Sequence, residues 1–160
     1  MRSRYNPRMY ASRRILLSIA VVTAVLCLIT RPVEAQTFGV RAGASVDPDQ
    51  FVIGGQVETK PLAEHITFRP NVELGLGNDL TVTSFNFELA YHFPSSKPWN
   101  IYAGGGPALL LINTDSHNHT EGGFNLLVGV QHHEGLFGEV KAGMMDSPDF
   151  KITFGYVFHY

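Results

Sequence analysis

Asp115, Ser116 and His117 stand side by side and supply the residue types of a nucleophilic hydrolase: an acid, a hydroxyl and a base. Their spacing argues against that chemistry. In such enzymes the three side chains converge in space, whereas sequence neighbours on a loop rarely face one another. The sequence therefore predicts that the protein is not an enzyme and carries no cofactor.

Histidine pairs are the second candidate, because imidazole is a common zinc ligand. His117 and His119 are two residues apart, and His132 and His133 are adjacent. A predicted strand of about ten residues separates the two pairs, which is roughly 33 Å at 3.3 Å per residue. Each pair alone has too few ligands for a zinc site, so we predict solvated loop histidines.

The remaining candidates for chemistry are charges within segments of alternating apolar and polar residues. Eight charged residues occupy polar positions of these segments, four of each sign. They are Arg41, Glu58, Arg69, Glu73, Glu88, Glu139, Lys141 and Lys151. Buried charges are costly unless they are paired. Equal numbers on the polar faces therefore predict a network of internal ion pairs.

Strands must position these charges. From residue 36 onwards a period-two alternation recurs between clusters of turn-forming residues. It predicts an all-β fold with strands over 36–46, 51–59, 66–77, 81–93, 99–113, 121–132, 136–145 and 149–160. The fifth segment is apolar at both alternating positions, so its register stays open. Its glycines indicate sharp coiling or close backbone approach.

Residues 1–35 are predicted to be a signal peptide that precedes the folded domain at 36–160. Five arginines within residues 1–14 precede an apolar run over 15–29, and Val33 and Ala35 form a small-residue cleavage site. The run has about 15 residues, fewer than the roughly 20 that a spanning helix needs. Cleavage after Ala35 would also remove Cys27, the single cysteine.

Removal of the signal peptide changes the net charge. The whole chain has 12 basic and 14 acidic residues, and residues 1–35 hold six arginines and one glutamate. Six basic and thirteen acidic residues then remain, which is a net charge of −7. Because no basic stripe is left, we predict no nucleic-acid partner.

Two architectures give eight antiparallel strands one apolar and one polar face. A soluble lipocalin-like barrel turns the apolar face inward, whereas a transmembrane barrel turns it to lipid. A soluble barrel would carry roughly 25–35% charged residues on its solvent face, and these strands carry few. Several strands also have about 10–12 residues, near the 9–11 that cross a bilayer at a tilt. We therefore predict an eight-stranded antiparallel up-and-down transmembrane β-barrel.

The last residues of the chain form a motif. Thr153, Gly155, Phe158 and Tyr160 follow the order polar residue, glycine, apolar or aromatic residue, terminal aromatic residue. The segments 98–106 and 137–143 also look like strands of a generic outer-membrane β-barrel domain. On these features residues 36–160 resemble the small OmpA/OmpX-type outer-membrane β-barrels.

The resemblance implies a location, partners and a topology. The location is the bacterial outer membrane, and the partners are its lipids and the barrel-assembly machinery. That machinery would read Thr153, Gly155, Phe158 and Tyr160 as an assembly signal. The resemblance also implies that both chain termini are periplasmic, and we expect a monomer.

With periplasmic termini, the outer turns lie near 47–50, 77–80, 113–121 and 145–149. They contain seven acidic residues and no Lys or Arg. Divalent cations prefer oxygen ligands, so one hypothesis is a cation rim, formed by Asp47, Asp49, Asp146 and Asp149. The alternative, which we adopt, is that Asp is a good turn former and that no metal site exists.

The predicted function is that of a small non-enzymatic outer-membrane barrel with a structural or surface-interaction role. Its lumen is predicted to be filled by side chains, because eight strands enclose an interior just wide enough for them. Two alternatives remain open. One is a soluble periplasmic or secreted lipocalin-like barrel that binds an apolar ligand, and the other is an outer-membrane lipid hydrolase.

Overall fold

The structure, a computed structural model, describes residues 37–78, 80–114 and 118–158. The predicted signal peptide, Asp79, the Asp115–His117 run and Tyr160 lie outside these residues. Within them the chain forms eight strands: β1 (Thr37–Val46), β2 (Gln50–Glu58), β3 (Ile66–Leu76), β4 (Leu80–His92), β5 (Trp99–Thr114), β6 (Asn118–His132), β7 (Leu136–Met145) and β8 (Phe150–Phe158).

Each strand pairs antiparallel with the next, and β8 pairs with β1, so the sheet closes into a barrel. The predicted all-β, eight-stranded up-and-down barrel is confirmed. We call the end that holds Thr37, Phe158 and the turns after β2, β4 and β6 the near mouth. The end that holds the turns after β1, β3, β5 and β7 is the far mouth.

The exterior of the barrel is apolar and its interior is polar. Phe154 and Val128 on the outside are 65% and 57% exposed, whereas Lys141 on the inside is 1% exposed. This distribution is the reverse of a soluble lipocalin-like barrel and is typical of a barrel in lipid. No helix long and apolar enough to cross a membrane occurs in the described part of the chain.

Aromatic residues gather on the exterior at the near mouth. The rings of Phe38 and Phe158 stack across the closing β1–β8 seam with centroids 6.5 Å apart. Tyr91 and Phe93 meet edge to face at 5.1 Å on β4 and the residue after it, and Trp99 begins β5. Such a girdle marks the boundary between lipid and water.

The register of β5, left open by the sequence, is set by its pairing. Tyr102, Ala108 and Leu110 point inward and are buried. The expected close backbone approach is confirmed, because a Cβ atom added to Gly104 or Gly106 would lie 2.0 Å from a carbonyl oxygen of β4. Larger residues at these two positions would push the strands apart.

The strand bounds differ from the prediction mainly at β6, which begins at Asn118 rather than 121. Its first residues continue the ladder with β5, where Glu121 lies opposite Leu110. Glu121 was predicted at the boundary between the outer turn and the strand, and it lies inside β6. The polar composition of residues 118–121 favours a turn, but cross-strand pairing with the long β5 extends the hairpin.

Candidate functional site: the barrel lumen

The barrel lumen holds the densest collection of charged side chains in the described structure, and Glu73 on β3 lies at its centre. Glu73 Oε1 is 2.8 Å from Arg41 Nη1 and 3.4 Å from Lys141 Nζ, and Oε2 is 2.5 Å from Lys151 Nζ. These cations come from β1, β7 and β8, so Glu73 ties together strands on both sides of the seam. The Glu73 side chain is only 1% exposed.

Glu139 on β7 is a second hub. Its Oε1 lies 3.1 Å from Arg41 Nη1, and its Oε2 lies 3.2 Å from Arg69 Nη1. Tyr102 donates a hydrogen bond of 2.9 Å to the same Oε2. Two guanidinium groups therefore balance the charge of the carboxylate and a phenol donates a hydrogen bond to it, as a buried charge requires.

Glu88 on β4 completes the network through Lys141, whose Nζ lies 2.7 Å from Glu88 Oε1. Its other oxygen accepts a hydrogen bond of 2.8 Å from Asn71. Asn86 donates to Asn71, and Asn125 donates to Asn86, each at 2.8 Å. Sequence reasoning missed this asparagine row, although all three residues occupy polar positions of alternating segments, which was the available signal.

Glu58 lies at the near-mouth end of the network. Its Oε2 is 3.5 Å from Arg69 Nε, and its Oε1 is 3.0 Å from His92 Nε2. Thr67 Oγ1 lies 3.1 Å from the same nitrogen. The Glu58–Arg69 contact connects the near mouth to Glu139 in the middle of the barrel.

Two aromatic rings fill the lumen beside these charges, each where the neighbouring strand has a glycine. A Cβ atom on Gly129 would lie 2.3 Å from the Tyr102 ring, and one on Gly155 would lie 2.5 Å from the Phe137 ring. The guanidinium of Arg69 stacks over Tyr102 with its Cζ 4.3 Å from the ring centroid. The rings thus support the guanidinium groups from the side through cation–π contacts.

One side of the lumen at the far mouth is apolar, which the sequence did not predict. Val82, Ala108 and Leu110 form a buried cluster there. The turn after β7 folds inward, so that Ser147 and Pro148 are buried. The side chains of Ser45 and Gln50 are buried on the opposite side of the lumen. The charged centre therefore lies below an apolar cluster, two polar side chains and a turn.

The structure brings all eight predicted lumen charges together. Every one is buried, and the contacts above join them into one connected network. Gln56 extends the network, because its Oε1 accepts from both Nε and Nη2 of Arg41.

The other predicted residues are spread over the barrel. Thr153 and Gly155 point into the lumen and Phe158 lies on the exterior, so three members of the predicted assembly signal share β8 without sharing a face. The four carboxylates of the hypothetical cation rim lie in the turns after β1 and β7. Within 37–78, 80–114 and 118–158 no group of three or more His, Cys, Asp or Glu side chains is placed to hold a metal ion.

No family model and no curated protein matches the chain. Solved structures do match. The N-terminal β-barrel domain of Pseudomonas aeruginosa OprF superposes with a TM-score of 0.61 at 14% identity, covering 77% of this chain and 96% of that one. Neisserial surface protein A (NspA) gives 0.59 at 12% identity, covering 78% and 94%. The outer membrane enzyme PagL gives 0.51 at 9% identity, covering 75% and 98%.

The fold is that of the small outer-membrane β-barrels. At these identities the likeness establishes the fold alone. The apolar exterior independently requires lipid around the strands, and closed barrels satisfy their backbone hydrogen bonds inside a bilayer. The chain is therefore a barrel of the bacterial outer membrane. Because this fold is shared by an enzyme, it does not by itself decide what the barrel does.

Proposed function

We propose that this outer-membrane barrel is non-enzymatic, has a structural or surface-interaction role, and is closed by its own side chains. The observation that carries the proposal is the packed charge network across the lumen. Arg69, Glu73 and Lys141, which contact partners on several strands, are each 1% exposed. A solute would have to break these ion pairs, and separating one partner of a buried pair costs about 3–5 kcal/mol.

The packing at the far mouth supports the same proposal. Val82, Ala108 and Leu110 fill one side of the lumen there, and their side chains offer no polar atoms to replace the hydration shell of an ion. Ser45, Gln50 and the turn residue Ser147 are buried at the same end. Moving an ion into such surroundings is strongly unfavourable. A closed lumen leaves the exterior and the two mouths as the surfaces through which the barrel can act.

The arrangement of polar groups in the lumen also favours a non-enzymatic role. Among the residues that the structure describes, Glu58, His92 and Thr67 bring together an acid, a base and a hydroxyl. Both the carboxylate and the hydroxyl contact the same nitrogen, His92 Nε2. A triad needs the acid on one ring nitrogen and the nucleophile on the other, so this group is not arranged for nucleophilic catalysis.

Planar-bilayer recordings on refolded protein test the closed lumen. We expect no unitary current steps from the wild-type barrel, and regular steps would contradict the proposal. Lipid-ester hydrolysis by the same preparation tests the non-enzymatic role. Hydrolysis that is abolished by Ser116→Ala would favour the second candidate, a lipid hydrolase. This candidate is retained because the outer membrane enzyme PagL has the same fold.

The partners we propose are few. Membrane lipid contacts the apolar exterior, and the barrel-assembly machinery inserts the chain. We propose a monomer, because a closed barrel leaves no sheet edge along the spanning strands that another copy would have to cover. Cross-linking in membranes that yields only single chains would support this, and a discrete dimer would contradict it.

A further inference from the structure

The strands β5 and β6 extend beyond the bilayer at the far mouth. They contain 16 and 15 residues, whereas about 9–11 residues cross a bilayer at a tilt. Trp99, the first residue of β5, belongs to the aromatic girdle at the near mouth, so the additional length lies at the other end. Thr120 and Glu121 of β6 lie opposite Leu111 and Leu110 there. The far-mouth ends of these two strands therefore stand above the membrane.

The first five residues of β6 have a strand neighbour on one side only. Asn118 to Gly122 pair with β5, but the ladder with β7 begins at Gly123, opposite Met145, where β7 ends. In the part of the chain that the structure describes, no strand other than β5 pairs with residues 118–122. Alternate residues of an antiparallel edge turn their N–H and C=O groups away from the one neighbour. We call residues 118–122 the free edge.

The free edge lacks the features that commonly protect an edge strand. Such strands are often protected by Lys or Pro or by a covering segment, and these five residues include neither Lys nor Pro. Asn118, His119 and Thr120 are exposed. A Cβ atom added to Gly122 would have no atom within 4 Å, and a glycine lets another backbone approach closely. The free edge is therefore accessible to an incoming strand.

The residues around the free edge indicate what kind of segment fits it. Glu121 lies within the free edge, and Asp146, which is exposed, follows Met145 directly. The turns after β1, β3, β5 and β7 contain no Lys or Arg. Met145 is 81% exposed and offers a flexible apolar contact. A basic segment complements these charges, whereas a second copy of the chain would bring the same acidic residues against them.

We propose that the free edge binds an extended, basic segment of another protein by strand addition at the far mouth. The incoming backbone pairs with the unpaired N–H and C=O groups of residues 118–122. Its Lys or Arg side chains contact Glu121 and Asp146, and its apolar side chains pack on Met145. The inference rests on the proposed surface-interaction role and names its partner class. Bilayer recordings and lipid-ester hydrolysis test the closed lumen and the non-enzymatic role separately, so failure at the free edge is distinguishable from failure of those proposals.

Fluorescence anisotropy tests the free edge, with the mature protein in phosphatidylcholine nanodiscs and the fluorescein-labelled peptide KVTVKVTVK as the probe. We expect saturable binding of this peptide and no binding of the acidic peptide EVTVEVTVE. A third peptide has the side chains and charge of the first but carries an N-methyl group at every residue, which removes its backbone N–H donors. Because strand addition depends on main-chain hydrogen bonds, this peptide should bind at least tenfold more weakly.

Gly122→Lys is the test variant, because its side chain enters open space and places a positive charge on the free edge. We expect the basic peptide to bind this variant at least tenfold more weakly. Asn78→Lys is the matched control, since Asn78 is exposed in the turn after β3 and adds the same charge at the same mouth, with β4 and β5 between it and β6. It should bind the peptide as the wild type does. Heat-modifiable gel mobility confirms that each variant is folded.

Three outcomes would overturn strand addition at the free edge. They are no saturable binding of the basic peptide to folded wild type, equal binding of its N-methylated form, and equal binding by Gly122→Lys and Asn78→Lys. Saturable binding of the acidic peptide would overturn the basic class of partner. A discrete dimer cross-linked through Thr120→Cys would show that a second copy occupies the free edge and would overturn the proposal as well.

Discussion

At the residue scale, the packing of the lumen depends on glycine residues that leave room for neighbouring rings. Gly129→Ala would place a Cβ atom 2.3 Å from the Tyr102 ring, which is held by Glu139 and stacked on Arg69. We expect a loss of about 1–3 kcal/mol in the free energy of unfolding, as for other overpacked interiors. Urea unfolding in lipid vesicles measures it. Gly122→Ala on the same strand is the control, since no atom lies within 4 Å of its added Cβ, and equal losses would contradict the steric account.

A second residue-scale prediction concerns Glu73, whose carboxylate contacts three cations. Glu73→Gln keeps the shape but leaves Arg41, Lys141 and Lys151 with one carboxylate fewer among them. We expect destabilisation of about 3–5 kcal/mol, as for other buried ion pairs that lose a partner. Glu64→Gln, on a side chain that is 92% exposed, should leave the urea midpoint unchanged. A Glu73→Gln midpoint equal to that of the control would show that the network contributes little.

The sequence predicts which charged residues share the lumen but not which of them touch. Alternation assigns a side chain to one face of its own strand, whatever its neighbours are. The contact of Glu73 with Lys151 joins β3 to β8, which depends on barrel closure and on a register that no single segment contains. The packing of Tyr102 against Gly129 and of Phe137 against Gly155 cannot be predicted from the sequence for the same reason.

At the element scale, β8 both closes the barrel and carries the predicted assembly signal. Phe158 belongs to that signal and stacks on Phe38, whereas Phe154 lies on the same face of β8 outside the signal. We expect Phe158→Ala to lower the amount of barrel inserted in the outer membrane several-fold in cells. Both Phe158→Ala and Phe154→Ala should refold in detergent, as heat-modifiable mobility would show. If both variants lose insertion equally in cells, Phe158 is not read as a signal.

The strands themselves follow from the sequence more completely than their pairing does. Alternation and turn residues predict seven of the strand starts to within one residue. The pairing of β5 with its neighbours cannot be predicted until its register is known. The β4–β5 ladder passes from Asn86 opposite Ala108 to Leu89 opposite Gly105, with Pro107 in the interruption. Proline has no N–H to donate, so the break is explained once the register is known. Apolar residues on both faces of β5 concealed that register.

At the scale of the whole molecule, the barrel has two unlike ends. The near mouth is polar and contains a cavity, whereas the far mouth has an apolar cluster on one side and a buried turn. The sequence does not predict this difference, because β5 is apolar at both alternating positions and leaves open which of its residues face the lumen.

The orientation of these ends in the membrane is a prediction that single cysteines can test. The predicted mature chain has no cysteine, because Cys27 falls within residues 1–35. Met145 at the far mouth is 81% exposed, and Leu62 in the turn after β2 is 65% exposed, so both sites are open to reagents. With periplasmic termini, a membrane-impermeant maleimide should label Met145→Cys on intact cells and Leu62→Cys only after the outer membrane is opened. Labelling of Leu62→Cys alone on intact cells would show that the barrel has the opposite orientation, with the near-mouth cavity facing outward.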